Sequence, residues 1–65
     1  MKINGKQVDL EQISLMEYLE QNGYRKETIA VEVNEEIIEK EDYDTTVLHA
    51  GDVVEIVSFM GGGAY

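Results

Sequence analysis

With 65 residues, no cysteine and a hydrophobic content of 43%, the chain suffices for one small packed domain but not for a deep substrate cavity within it. The missing cysteine excludes a disulfide brace and a thiolate for metal binding or nucleophilic attack. Fourteen acidic residues against five basic ones, formal net charge −9, oppose binding to nucleic acid and anionic lipid. The same charge keeps a protein soluble and suits a protein partner with a basic face.

The chain opens on a hairpin signal. Asn4-Gly5 is the dipeptide best suited to a two-residue turn with positive φ at both central positions, and it predicts strands over Met1–Asn4 and Lys6–Asp9. Met1 and Ile3 then share one face, with Val8 and Leu10 across it. Ser14 followed by Glu17 fits a capping box, and Leu15, Met16, Tyr18 and Leu19 form an apolar stripe. Gly23 is placed to end the helix, so one short helix is expected over about Leu15–Asn22, packed on a sheet because so short a helix is not stable alone.

A third strand is expected at Thr28–Asn34, where Ile29, Val31 and Val33 alternate with Ala30 and Glu32. Glu35-Glu36 reads as a turn and Ile37-Ile38 as a short strand; Glu39–Thr45 is charged and reads as irregular or a tight helical turn around Tyr43. Ala50-Gly51-Asp52 turns the chain into a last strand, Val53–Phe59, which is apolar on both faces: Val54 and Ile56 on one, Val57 and Phe59 on the other. Such a strand is central in its sheet or has a face covered by a partner. The order β-β-α-β-β-β predicts an α+β fold, a β-grasp (ubiquitin-like) roll: a mixed sheet of four to five strands with one main helix. Residues 1–60 make the domain and residues 61–65 a flexible glycine tail.

That tail, Gly61-Gly62-Gly63-Ala64-Tyr65, has little to pack and loses much entropy if ordered, so it is either a frayed terminus or an arm. As an arm it has a chemical use. A carboxylate is a poor acyl donor until transfer of AMP from ATP turns it into a mixed anhydride, which sulfur can then displace. Glycines thread a narrow site without a Cβ to hinder attack, while a partner supplies positioning and charge stabilisation.

The start Lys2-Ile3-Asn4-Gly5-Lys6, Ala30-Val31-Glu32-Val33-Asn34, the segment Ile37–Tyr43, Gly51-Asp52-Val53-Val54-Glu55-Ile56-Val57 and the glycine end together resemble the ThiS family of sulfur carriers in thiamin biosynthesis. The resemblance implies a carrier, not an enzyme. It implies activation by an E1-like (ThiF-like) adenylyltransferase that uses ATP, a terminal glycine converted to a thiocarboxylate, and transfer of sulfur to a ThiG-like thiazole synthase. Carried onto this chain, Gly63 is the covalent carrier site and Gly61 and Gly62 thread the partner's site. The family typically ends on the diglycine, whereas Ala64 and Tyr65 follow it here and lock the Gly63 carbonyl in an amide. Their removal by a peptidase is therefore expected. The same chemistry in molybdopterin or sulfur-dependent amino-acid synthesis, and a non-covalent β-grasp interaction module, stand as alternatives.

Val57, Phe59 and Met60 precede the tail and are candidates either for packing on a neighbouring element or for partner docking. His49, a lone histidine near a turn, reads as surface, and Glu35, Glu36, Glu39, Glu41, Asp42 and Asp44 lack the spacing of a calcium loop. No metal or bound cofactor is expected, and no catalytic residue. Tyr18, Tyr24 and Tyr43 read as core-edge residues with wet hydroxyls. With neither a signal peptide nor an apolar stretch of membrane-spanning length in view, a cytoplasmic protein, monomeric when free, is the expectation.

Overall fold

The computed structural model describes residues 1–59. The first hairpin forms where the Asn-Gly signal places it. β1 (Lys2–Ile3) and β2 (Lys6–Gln7) are antiparallel around Asn4 and Gly5, whose φ angles are 52° and 82°. Val8 N–H donates to the Met1 carbonyl at 2.8 Å and extends the pairing to the chain start. Met1 and Ile3 enter the core and Val8 packs against it, but Leu10 stays exposed instead of joining them.

Next comes a short strand absent from the sequence expectation, β3 (Gln12–Ser14), antiparallel to β6 (Val47–His49) in a separate two-stranded sheet. Ser14 ends β3 and caps α1 (Leu15–Gln21): its hydroxyl accepts from the Glu17 N–H at 3.1 Å. The opposite half of the expected capping box is not among the hydrogen bonds of the described residues; the Ser14 backbone lies in the ladder opposite Val47. At the other end Gly23 takes φ 77°, Tyr24 N–H donates to the Leu19 carbonyl and Gly23 N–H to that of Glu20. These two bonds satisfy carbonyls that the last helical turn leaves free.

After a 3-10 turn, Lys26–Thr28, β4 (Ile29–Val33) alternates Ile29 and Val31 inward with Ala30 and Glu32 outward, as the sequence pattern requires. The second hairpin differs by one residue from expectation. Asn34 and Glu35 form the turn, with φ 52° and 72°, and β5 is Glu36–Ile37. Lys40–Thr45 is a 3-10 turn, and Tyr43 within it is 1% exposed, a core residue rather than a core-edge one. Burial raises the Tyr43 phenol above its ordinary pKa, opposed by a hydrogen bond with the Val31 backbone. Tyr18 and Tyr24 do lie at the core edge.

The last strand, β7 (Val53–Ser58), is the centre of the main sheet, whose order is β2-β1-β7-β4-β5. It runs parallel to β1 and antiparallel to β4, so the sheet is mixed. Val54 and Ile56 bury one face against a core of Ile3, Ile13, Leu15, Leu19, Ile29, Val31, Tyr43 and Leu48. Leu15, Leu19, Val31, Leu48 and Val54 are fully enclosed, and among the described residues no polar side chain is buried. This packing of one helix and one 3-10 turn on a single sheet face is the β-grasp arrangement.

Candidate functional site

The candidate site is the end of β7, and its geometry begins with how that strand is held. On one edge β1 pairs Lys2 with Val53 and Ile3 with Val54; on the other, β4 matches five consecutive residues, from Ile29 opposite Ser58 to Val33 opposite Val54. Past the short β1, the Asn4 side chain takes over. Its Oδ1 accepts from Ile56 N–H at 2.7 Å and its Nδ2 donates to the Ile56 carbonyl at 3.3 Å. A carboxamide here substitutes for the next peptide unit of the missing strand.

Asn34 grips the beginning of the strand from the other side. Val53 N–H donates to Asn34 Oδ1 at 2.9 Å, and Asn34 N–H to the Val53 carbonyl at 2.7 Å. Asn34 Nδ2 also donates to Asp52 Oδ1 at 3.0 Å, while Asp52 Oδ2 accepts from His49 N–H at 2.8 Å. The His49 backbone donor, with the Asn34 amide, holds the Asp52 carboxyl below its ordinary pKa despite partial burial. His49 itself is exposed at the end of β6, in keeping with a surface reading.

At the far end, Phe59 N–H donates to the Thr28 carbonyl at 3.1 Å. The strand is therefore bonded to its neighbours right up to Phe59. Met60, Gly61, Gly62, Gly63, Ala64 and Tyr65, which carry the tail expectations and one docking candidate, lie outside the described residues.

The outer face of the sheet combines apolar and acidic groups. Val57 and Phe59 are each 57% exposed, and Val53 and Ile37 are exposed on the same sheet. Val57 stands opposite Ala30, and Glu55 directly opposite Glu32. Two carboxylates facing each other across a strand pair are mutually destabilising. Sequence reasoning missed Lys40. Its Nζ donates to the Ile29 carbonyl at 2.6 Å and lies 5.4 Å from the Tyr43 ring centroid and 5.5 Å from that of Phe59.

A depression of about 310 Å³ lined by Met1, Gln7, Val8, Leu10 and Gly51 lies at the opposite end of β7 from Phe59. Among the described residues no group of His, Asp and Glu is placed to hold a metal ion, and no helix is long and apolar enough to cross a membrane.

A central strand pinned on both edges, running toward a glycine-rich end, in a β-grasp roll with one helix, defines the ubiquitin-like class of small domains. The sequence model of the ThiS family matches residues 1–63. The chain is 39% identical to the sulfur carrier protein ThiS of Thermus thermophilus over 61 residues, covering 94% of this chain and 95% of that one. It is 37% identical to the sulfur carrier protein ThiS of Bacillus subtilis over 65 residues, covering 97% and 98%. The crystal structure of the thiamine biosynthesis protein ThiS from Geobacter metallireducens superposes with a TM-score of 0.75 at 39% identity, covering 95% of this chain and 96% of that one. The solution structure of a thiamine biosynthesis protein from the same organism gives 0.74 at 38% identity, covering 98% and 87%. This chain belongs to the ThiS family.

Proposed function

We propose that the chain is a sulfur carrier for formation of the thiamin thiazole, with Gly63 as the carrying residue. The observation that carries this reading is the pairing of a strand held on both edges up to Phe59 with a sequence that continues Met60-Gly61-Gly62-Gly63. The family match, which stops at Gly63 and leaves Ala64 and Tyr65 outside it, supports the assignment. A peptidase adds water across the Gly63–Ala64 amide and releases the dipeptide. The freed carboxylate attacks the α-phosphorus of ATP in an E1-like (ThiF-like) adenylyltransferase, pyrophosphate leaves, and a sulfide-level nucleophile then displaces AMP from the acyl carbon. The resulting thiocarboxylate delivers sulfur to a ThiG-like thiazole synthase. The chain supplies the electrophile and a docking surface; ATP is bound by the partner.

The test compares the full-length chain with a chain ending at Gly63, each incubated with ATP, sulfide and the E1-like enzyme of the same cell. Intact mass should show exchange of one oxygen for sulfur on the shorter chain alone. Thiocarboxylate on the full-length chain, or none on either, overturns the assignment of Gly63.

Docking is assigned to Val57, Phe59 and Met60. Val57→Asp is expected to weaken binding to the activating enzyme by about tenfold or more, since it places a charge on an exposed apolar patch without touching the core. Calorimetric titration checks it, and unchanged affinity removes Val57 from the interface. Phe59→Asp is a less clean probe, because an aspartate there would meet the Lys40 ammonium.

A further inference from the structure

We propose that Lys40 is a positioning residue that holds Phe59 and so fixes the point from which the glycine segment departs. The inference rests on the carrier reading and adds to it a residue outside the tail and the docking patch. β5 is too short to cover all of β4: the ladder pairs Glu32 with Ile37 and Val33 with Glu36, and Ile38 N–H reaches the Val31 carbonyl. Ile29 lies past the end of that ladder. Lys40, the first residue of the 3-10 turn that follows, reaches back and donates to the Ile29 carbonyl at 2.6 Å.

That bond puts the ammonium against two rings, within the range in which a cation is attracted to an aromatic face. The two rings differ in what holds them. Tyr43 is 1% exposed and fixed in the core; Phe59 is 57% exposed and is the last residue before Met60 and the glycines. Lys40 therefore ties an anchored ring to the ring at the exit, across the strand end where Phe59 N–H meets the Thr28 carbonyl. Arginine preserves the charge, the donor and the attraction to the rings; methionine preserves most of the stem and loses all three.

A residue that orients the start of an arm acts after the domain has docked, so its loss lowers the rate in the complex and leaves docking alone. In chains ending at Gly63, Lys40→Met is expected to lower kcat for adenylation by about fivefold with KM within about twofold, and Lys40→Arg to restore it. Phe59→Leu should lower kcat similarly and also raise KM, because Phe59 is itself assigned to docking, and the Lys40→Met/Phe59→Leu pair should lower kcat no further than either alone. Independently of any enzyme, hydrogen exchange at the Phe59 amide should quicken in Lys40→Met and return to normal in Lys40→Arg. An unchanged Phe59 amide overturns the proposal, as does an unchanged kcat; a rise in KM alone makes Lys40 a partner contact instead. If the unsubstituted Gly63 chain is not adenylated, the carrier reading fails, and the amide measurement alone decides whether Lys40 holds Phe59.

Discussion

The two hairpin turns of this domain do the same job by different means. Each places an asparagine in the left-handed region, at φ 52° in both cases, and each uses that side chain to bond the backbone of β7 from an opposite edge. Asn4 is followed by Gly5, for which φ 82° is free of cost; Asn34 is followed by Glu35, for which φ 72° is not. The first clasp is satisfied by the Ile56 peptide alone, whereas the second is backed by Asp52, itself braced by His49 N–H. The second turn is thus held in place by its hydrogen bonds, and the first by its residue types as well.

Removing the clasps separates these contributions. Asn4→Ala loses two partly buried bonds and replaces a residue that tolerates the left-handed region with one that does so less well, which should cost about 2 kcal/mol and lower Tm by roughly 8–16 °C for a domain of this size. Asn34→Ala, in a more exposed setting, should cost about half as much, roughly 1 kcal/mol. Thermal melts of the two variants check the order; an equal or reversed ranking means burial does not set the difference.

Exchanging the following residues sharpens the contrast. Gly5→Ala should destabilise by about 1 kcal/mol through backbone conformation alone, since a Cβ at that position meets nothing within 4 Å. Glu35→Gly should stabilise by about 0.5 kcal/mol, relief of the left-handed strain exceeding glycine's added entropy in the unfolded chain. Opposite signs in urea denaturation are the expected result, and a destabilised Glu35→Gly would show that Glu35 has a role beyond the turn.

The smallest effect is a pH dependence confined to the second clasp. Because the folded Asp52 carboxyl sits below the ordinary value of 3.8, its stabilisation is present above that pH and is lost as pH falls through the lowered folded value. The stability difference between wild type and Asp52→Asn should therefore shrink as pH drops below about 4, while that between wild type and Asn4→Ala should not. A wild-type–Asp52→Asn difference that does not change with pH would remove Asp52 from the clasp.

The same contrast explains what could be read in advance. Asn-Gly announces a turn by residue type, so the first hairpin was legible; Asn-Glu does not, and the second turn was placed one residue late. α1 and β4 have enough residues for a period to show. The two apolar faces of β7 pointed to a central strand or one with a face covered by a partner, and the strand order bears out the first. β3 and β6 were not, because each has three residues and one buried side chain, Ile13 and Leu48, too few for alternation. Tyr43 stands alone as an apolar residue in a charged run, and only the packing of α1 over the 3-10 turn gives it a core to enter. At the candidate site, alternation placed Val57 and Phe59 on the face opposite Val54 and Ile56 but left open whether another element covers them; both are exposed. The role of Lys40 did not, since it depends on β5 ending early and leaving Ile29 uncovered.

The position of β7 between β1 and β4 has a consequence for how the protein comes into being. Among the described residues β7 alone links the β1–β2 hairpin and the β4–β5 hairpin in the main sheet, and each of those alone is too small to persist in water. Until β7 has been made there is no sheet for α1 to cover, and the key pairing joins residues about fifty positions apart, Lys2 with Val53. Assembly must therefore wait for the strand that leads into the glycines. A chain truncated before β7 keeps two unconnected hairpins and has no sheet on which its helix can pack.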